Sequence, residues 1–166
     1  MSINGIAKPP SPGVAPAPYV TSLVFAEDPE VDTLRHVTVS FMVDTGADRT
    51  VLSLRKARQL IGIANWETVC RRRAPVKVGS VGGSQTYWKV PMQLWFWDTD
   101  AQSGFASIDR AVLVPFYSEA QDLAEQYSER QGSEPMSLLG RDVFGEMRFE
   151  FDLSKPSPVV LDHSPT

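Results

Sequence analysis

Cysteine is nearly absent from this chain. Cys70 stands alone among 166 residues, which excludes an intrachain disulfide and any fold that depends on one. A single cysteine reads as a small buried hydrophobe before it reads as a reactive thiol. Histidine is as scarce. His36 and His163 come with no Gly-x-Ser-x-Gly serine and no cysteine signature, so a nucleophilic triad has no support, and a lone histidine on a strand such as His36 reads as structural. One cysteine and two scattered histidines give no zinc spacing, and neither a metal nor a cofactor is expected. No apolar run approaches the ~20 residues that span a bilayer, and Met1–Lys8 lacks the apolar stretch of a signal peptide. The expectation is a soluble, cytoplasmic protein with no membrane partner. A basic surplus is missing too: the formal charge is −4, which argues against nucleic acid as a partner. The densest positive spot, Arg71–Arg73, reads as a solvated loop.

What is present suits one globular domain, with 42% hydrophobic and 22% charged residues. Lys8-Pro-Pro-Ser-Pro-Gly-Val-Ala-Pro-Ala-Pro18 is proline-rich; its missing donors and fixed φ predict a flexible tail over residues 1–18, with the folded domain over 19–166. From there the signals are mostly β. Tyr19–Phe25 is β-branched and aromatic, and Val37, Val39, Phe41 and Val43 alternate with Thr38, Ser40 and Met42. Tyr87–Trp97, Ile108–Phe116 and the alternation of Met147, Phe149 and Phe151 follow, and Pro158–Leu161 is placed to pair back.

Two helices interrupt the strands. Ser53 caps a short one after the strand ending at Val43, with Leu54, Ala57, Leu60 and Ile61 on one face and Gly62 at the stop. Ser118 and Gln121 make a capping box for the other. There Ala120, Leu123, Ala124 and Tyr127 fall at i, i+3, i+4 and i+7, and Gly132 ends it; the expectation is an inserted helix lying on the surface of the sheet.

The residues that carry chemistry are few. Phe41-Met42-Val43-Asp44-Thr45-Gly46-Ala47-Asp48 runs an apolar strand straight into a carboxylate. Gly46 lets the backbone bring its amide near Asp44, and Thr45 is able to tie down the loop. Leu138-Leu139-Gly140-Arg141-Asp142-Val143-Phe144 is a second apolar strand ending at a glycine, followed by the start of a short helix. Between them, Val78-Gly79-Ser80-Val81-Gly82-Gly83-Ser84 is glycine-rich, but no Lys-Ser/Thr and no helix follow, so it reads as a hairpin tip and not a phosphate loop.

In that order the three motifs resemble the retropepsins, the single-domain aspartic proteases of retroviruses, retrotransposons and some cellular proteins. The resemblance spans roughly residues 35 to 152 and implies an all-β, closed acid-protease barrel with a flap hairpin. It implies Asp44 as the catalytic aspartate, Thr45 as a brace to its counterpart in a second chain, and Gly46 as a substrate contact. Ala47 and Asp48 would line the substrate, as would the flap Gly79, Ser80, Val81, Gly82 and Gly83, with Val81 at its tip. Arg141 and Asp142 would be structural supports, with Arg141 paired to Asp48. The chain departs from a minimal viral protease in the extra residues before the flap and in the helix near 118–131. Its C-terminal end, through Pro156 and Pro158, does not obviously supply an interdigitated strand.

A count independent of the resemblance leads to the same partner. Hydrolysis of a peptide by uncharged water needs two carboxylates, one to accept a proton and one to polarise the carbonyl. The chain holds one Asp-Thr-Gly, and Asp98-Thr99-Asp100 lacks the glycine and reads as a polar turn. The expected assembly is therefore a homodimer acting on a polypeptide substrate as an aspartic endopeptidase. The alternatives are a peptide-binding or dimerisation module of the same fold without turnover.

Overall fold

In the computed structural model, which describes residues 1–80, 83–100 and 104–163, the chain is mainly β. Among the described residues nine strands run in the order β1 Ser2–Lys8, β2 Ala17–Ala26, β3 His36–Val43, β4 Pro75–Ser80, β5 Gly83–Trp97, β6 Phe105–Pro115, β7 Ser137–Leu139, β8 Arg148–Phe151 and β9 Val159–Asp162. Four helices interrupt them among the described residues: α1 Leu54–Ile61, α2 Trp66–Arg71, α3 Glu119–Arg130 and α4 Arg141–Phe144. The sheet follows the path β4-β5-β2-β1-β9-β8, with β3 against β2 and β6 against β5.

The sheet is not closed into a barrel, which corrects the closed architecture inferred from the sequence. Its path ends at two unjoined edges. Among the described residues β8 pairs only with β9, and β4 leaves the body as one arm of a hairpin with β5. The central strands alternate as their period-two pattern requires. Val20 and Val24 of β2, Val39 and Phe41 of β3, and Met92, Leu94 and Phe96 of β5 are buried on one face. Leu54, Ala57, Leu60 and Ile61 of α1 cover that face. Ser53 accepts from Lys56 N at 3.2 Å to start α1, and Gly62 at φ 86° ends it.

The supposed tail over residues 1–18 is also corrected. β1 pairs with β9 over Ser2–Gly5 and with β2 over Ile6–Lys8, and Ile3 is buried. The prolines mark the connection between β1 and β2, with Pro18 tolerated near the start of a strand. Of Arg71–Arg73, Arg71 and Arg72 are exposed as a solvated run predicts, pairing with Glu67 and, at 2.9 Å, with Glu30, while Arg73 reaches the buried Asp28 at 2.7 Å. Cys70 is buried, and burial, with Glu67 next in effect, pushes its thiol up to about 12.

Candidate active site

β3 delivers Asp44 to the edge of the core. Val39, Phe41 and Val43 anchor the strand from below, and β7 runs parallel to it with Val43 opposite Leu139. The first amide past the strand, Asp44 N, donates to Leu139 O at 3.1 Å. Ala47 N then returns to Asp44 O at 3.1 Å, closing a tight turn. Gly46 N donates to Asp44 Oδ1 at 2.8 Å, so the carboxylate is held by the backbone of its own loop. Asp44 is half-buried, while Thr45 and Gly46 are exposed beside it.

The Gly140 segment is stitched to this loop from behind. Arg141 N donates to Ala47 O at 2.9 Å and Asp142 N to Asp48 O at 3.2 Å, and the Arg141 guanidinium pairs with the Asp48 carboxylate. Thr50, fully buried, was not singled out in the sequence, yet it joins both motifs. Its hydroxyl donates to Asp142 Oδ1 at 2.8 Å and accepts from Gly140 N at 3.1 Å. Arg110 was missed as well: its Nε donates to Asp142 O at 2.6 Å from β6. Val51 bridges Leu138 on one side and Leu113 on the other, so the loop is built into the sheet.

Gly140 is required by close approach. A Cβ there would lie 2.3–2.7 Å from the backbone of Arg49. This fixes how deeply the two motif segments nest.

The glycine-rich segment is a hairpin. β4 and β5 pair from Pro75 opposite Trp88 to Ser80 opposite Gly83. Val81 and Gly82, expected at its tip, lie outside the described residues. Gly79, Gly83, Ser84 and Gln85 are exposed, so the end of the hairpin stands clear of the core. The structure thus brings Asp44, Thr45, Gly46, Ala47 and Asp48 together with Arg141 and Asp142. Gly79, Ser80 and Gly83 sit on a separate arm. Asp98-Thr99-Asp100 is the turn leaving β5, where Asp98 Oδ1 accepts from Asp100 N at 3.0 Å and Ser2 N at 3.2 Å. Among the described residues no helix is long and apolar enough to cross a membrane. Compared with known proteins, the chain matches no family model and no curated sequence.

Proposed function

We propose that the chain is an aspartic endopeptidase of the retropepsin type, hydrolysing peptide bonds with a water held between the Asp44 carboxylates of two copies. The observation that carries this reading is the setting of Asp44. Its carboxylate ends a core strand, bonds the Gly46 amide at 2.8 Å, and sits in a loop tied by backbone bonds to the Gly140–Asp142 segment. A surface turn needs none of that scaffolding, whereas a general base needs a fixed position.

In this reading one Asp44 takes the proton of the attacking water as the other, protonated, polarises the scissile carbonyl. Two carboxylates brought side by side share one proton, so the rate is bell-shaped in pH. Thr45, exposed at the loop, braces the partner chain, and Ala47 and Asp48 line the peptide. The β4–β5 hairpin folds over it, excluding water from the reacting bond.

A mixed peptide library read by mass spectrometry tests the proposal, wild type beside Asp44→Asn. The amide keeps the shape of the loop but cannot act as a base. Cleavage by the wild type should fall by at least ~10²–10⁴-fold in the variant. Equal cleavage by both would remove Asp44 from the chemistry, and no cleavage by the wild type would leave only a peptide-binding or dimerising domain.

A further inference from the structure

The helix α3 is turned inside out. One stripe of it is apolar, formed by Ala120, Leu123, Ala124 and Tyr127, and the opposite stripe is polar, formed by Gln121, Asp122, Glu125, Gln126 and Glu129. Burying the polar stripe reverses the usual arrangement of a surface helix. Asp122 is buried, whereas Leu123 is 57% and Tyr127 65% exposed, and both alanines are exposed.

The inversion is specific, because the polar stripe meets matched groups on α1. Arg58 Nη1 donates to Asp122 Oδ2 at 2.7 Å, and Arg55 pairs with Glu129 at 3.1 Å. Glu125 takes the free amides of Leu54 and Arg55 at 3.3 and 2.8 Å, capping the N-terminus of α1. The apolar stripe is thus held outward by a network on the other side.

Two charges border that stripe. Glu119 begins the helix and Arg130 ends it; eleven residues at 100° each bring them to the same side. Both are exposed, and neither makes an ion pair among the described residues.

We propose that this stripe docks on the same stripe of a second copy, α3 against α3, antiparallel about a twofold axis. In that arrangement each Glu119 faces the partner's Arg130, and Leu123 and Tyr127 interleave between the two ion pairs. A parallel pairing would bring each Glu119 level with the partner's Glu119 and form neither ion pair. The stripe offers on the order of 300 Å², below the ~800 Å² per partner of a standard interface, so the contact alone is weak and reversible. The proposal does not rest on the peptidase reading.

Cysteine crosslinking of the full chain reads such a contact, since Cys70, the native cysteine, is buried. Position 124 lies beside the helix midpoint, so Ala124→Cys should form an intermolecular disulfide under mild oxidation. Glu119→Cys should not, because its partner copy would be about 16 Å away along the axis, but a mixture of Glu119→Cys and Arg130→Cys chains should crosslink. In the Ala124→Cys background, Glu119→Arg or Arg130→Glu should lower the yield several-fold, and the two together should restore it. Three results would overturn the proposal: no excess of Ala124→Cys dimer over a cysteine placed at exposed Ser154, crosslinking of Glu119→Cys with itself, or a double swap as poor as either single. None of these readouts involves peptide cleavage, so failure here and failure of the Asp44 assignment are separable.

Discussion

Asp44 is held in place partly by the side chain that Gly46 does not have. The sequence suggests that Gly46 is there to let the chain turn, yet its φ is not among the positive values of this fold. The constraint is space: a Cβ on residue 46 would sit 3.3 Å from Asp44 Oδ1. Gly46→Ala should therefore barely change stability while displacing the carboxylate, seen as weaker cleavage at an unchanged melting temperature. Gly140→Ala behaves in the opposite way. Its Cβ meets the Arg49 backbone at 2.3–2.7 Å, which cannot swing aside, so about 3 kcal/mol of stability should be lost, visible in the melting temperature. Cys70 makes a third case. Its folded thiol is pushed up to about 12 from 9.0, so in the native state it stays protonated at pH 8 and should resist iodoacetamide until the chain unfolds. The unfolded thiol ionises first as pH rises. Stability should therefore fall from about pH 9 toward 12, where the folded thiol follows, and Cys70→Val should blunt that decline in denaturant titrations.

Elements show where local pattern suffices and where it fails. α1 was legible to the residue, because Ser53, Gly62 and four apolar positions on one face are all local signals. The bounds of α3 were legible too, with Ser118 accepting from Gln121 N at 3.3 Å, but its orientation was not. Periodicity marks a stripe and assumes that the apolar side turns inward. Here the outcome depends on Arg55 and Arg58, 64 to 74 residues away in the sequence, matching Asp122, Glu125 and Glu129. β1 was hidden for a similar reason. Ser-Ile-Asn-Gly-Ile-Ala-Lys has little strand propensity of its own and is held by β2 and β9 on its two sides. The α1–α3 network also allows a stability test. Asp122→Ala would strand Arg58, whose side chain is only 16% exposed, without its carboxylate partner, while Arg55 keeps Glu129. A loss of about 2–3 kcal/mol is expected, as a lower urea midpoint with an unchanged m-value. The Asp48–Arg141 pair is 76% and 56% exposed and should matter far less to stability, under ~1 kcal/mol for Arg141→Lys, because the backbone bonds of Arg141 and Asp142 hold the same loop.

At the scale of the whole molecule, the all-β class was legible and the closure of the sheet was not, because closure depends on which distant edges meet. The three motifs could be read in sequence, whereas Thr50, which links two of them, is a single residue with no pattern of its own. The same scale decides catalysis. With one Asp-Thr-Gly per chain, each copy holds half of the proposed site. Activity per chain should then fall as the protein is diluted below its dissociation constant, since dimer concentration varies with the square of the monomer there. Mixing gives a sharper form of this test. When a fixed amount of wild type is exchanged at saturating concentration with an equal amount of Asp44→Asn, random pairing leaves a quarter of the dimers wild type on both sides. Mixed dimers hold one carboxylate and an amide, which cannot share the proton between two acids, so they should be nearly inactive. Because total dimer has doubled while its active fraction is a quarter, the measured rate should settle at about half its starting value, reached as subunits exchange. A rate that stays at its starting value on adding the inert chain would mean that one chain carries a complete site, and the carboxylate count behind the dimer would then be wrong.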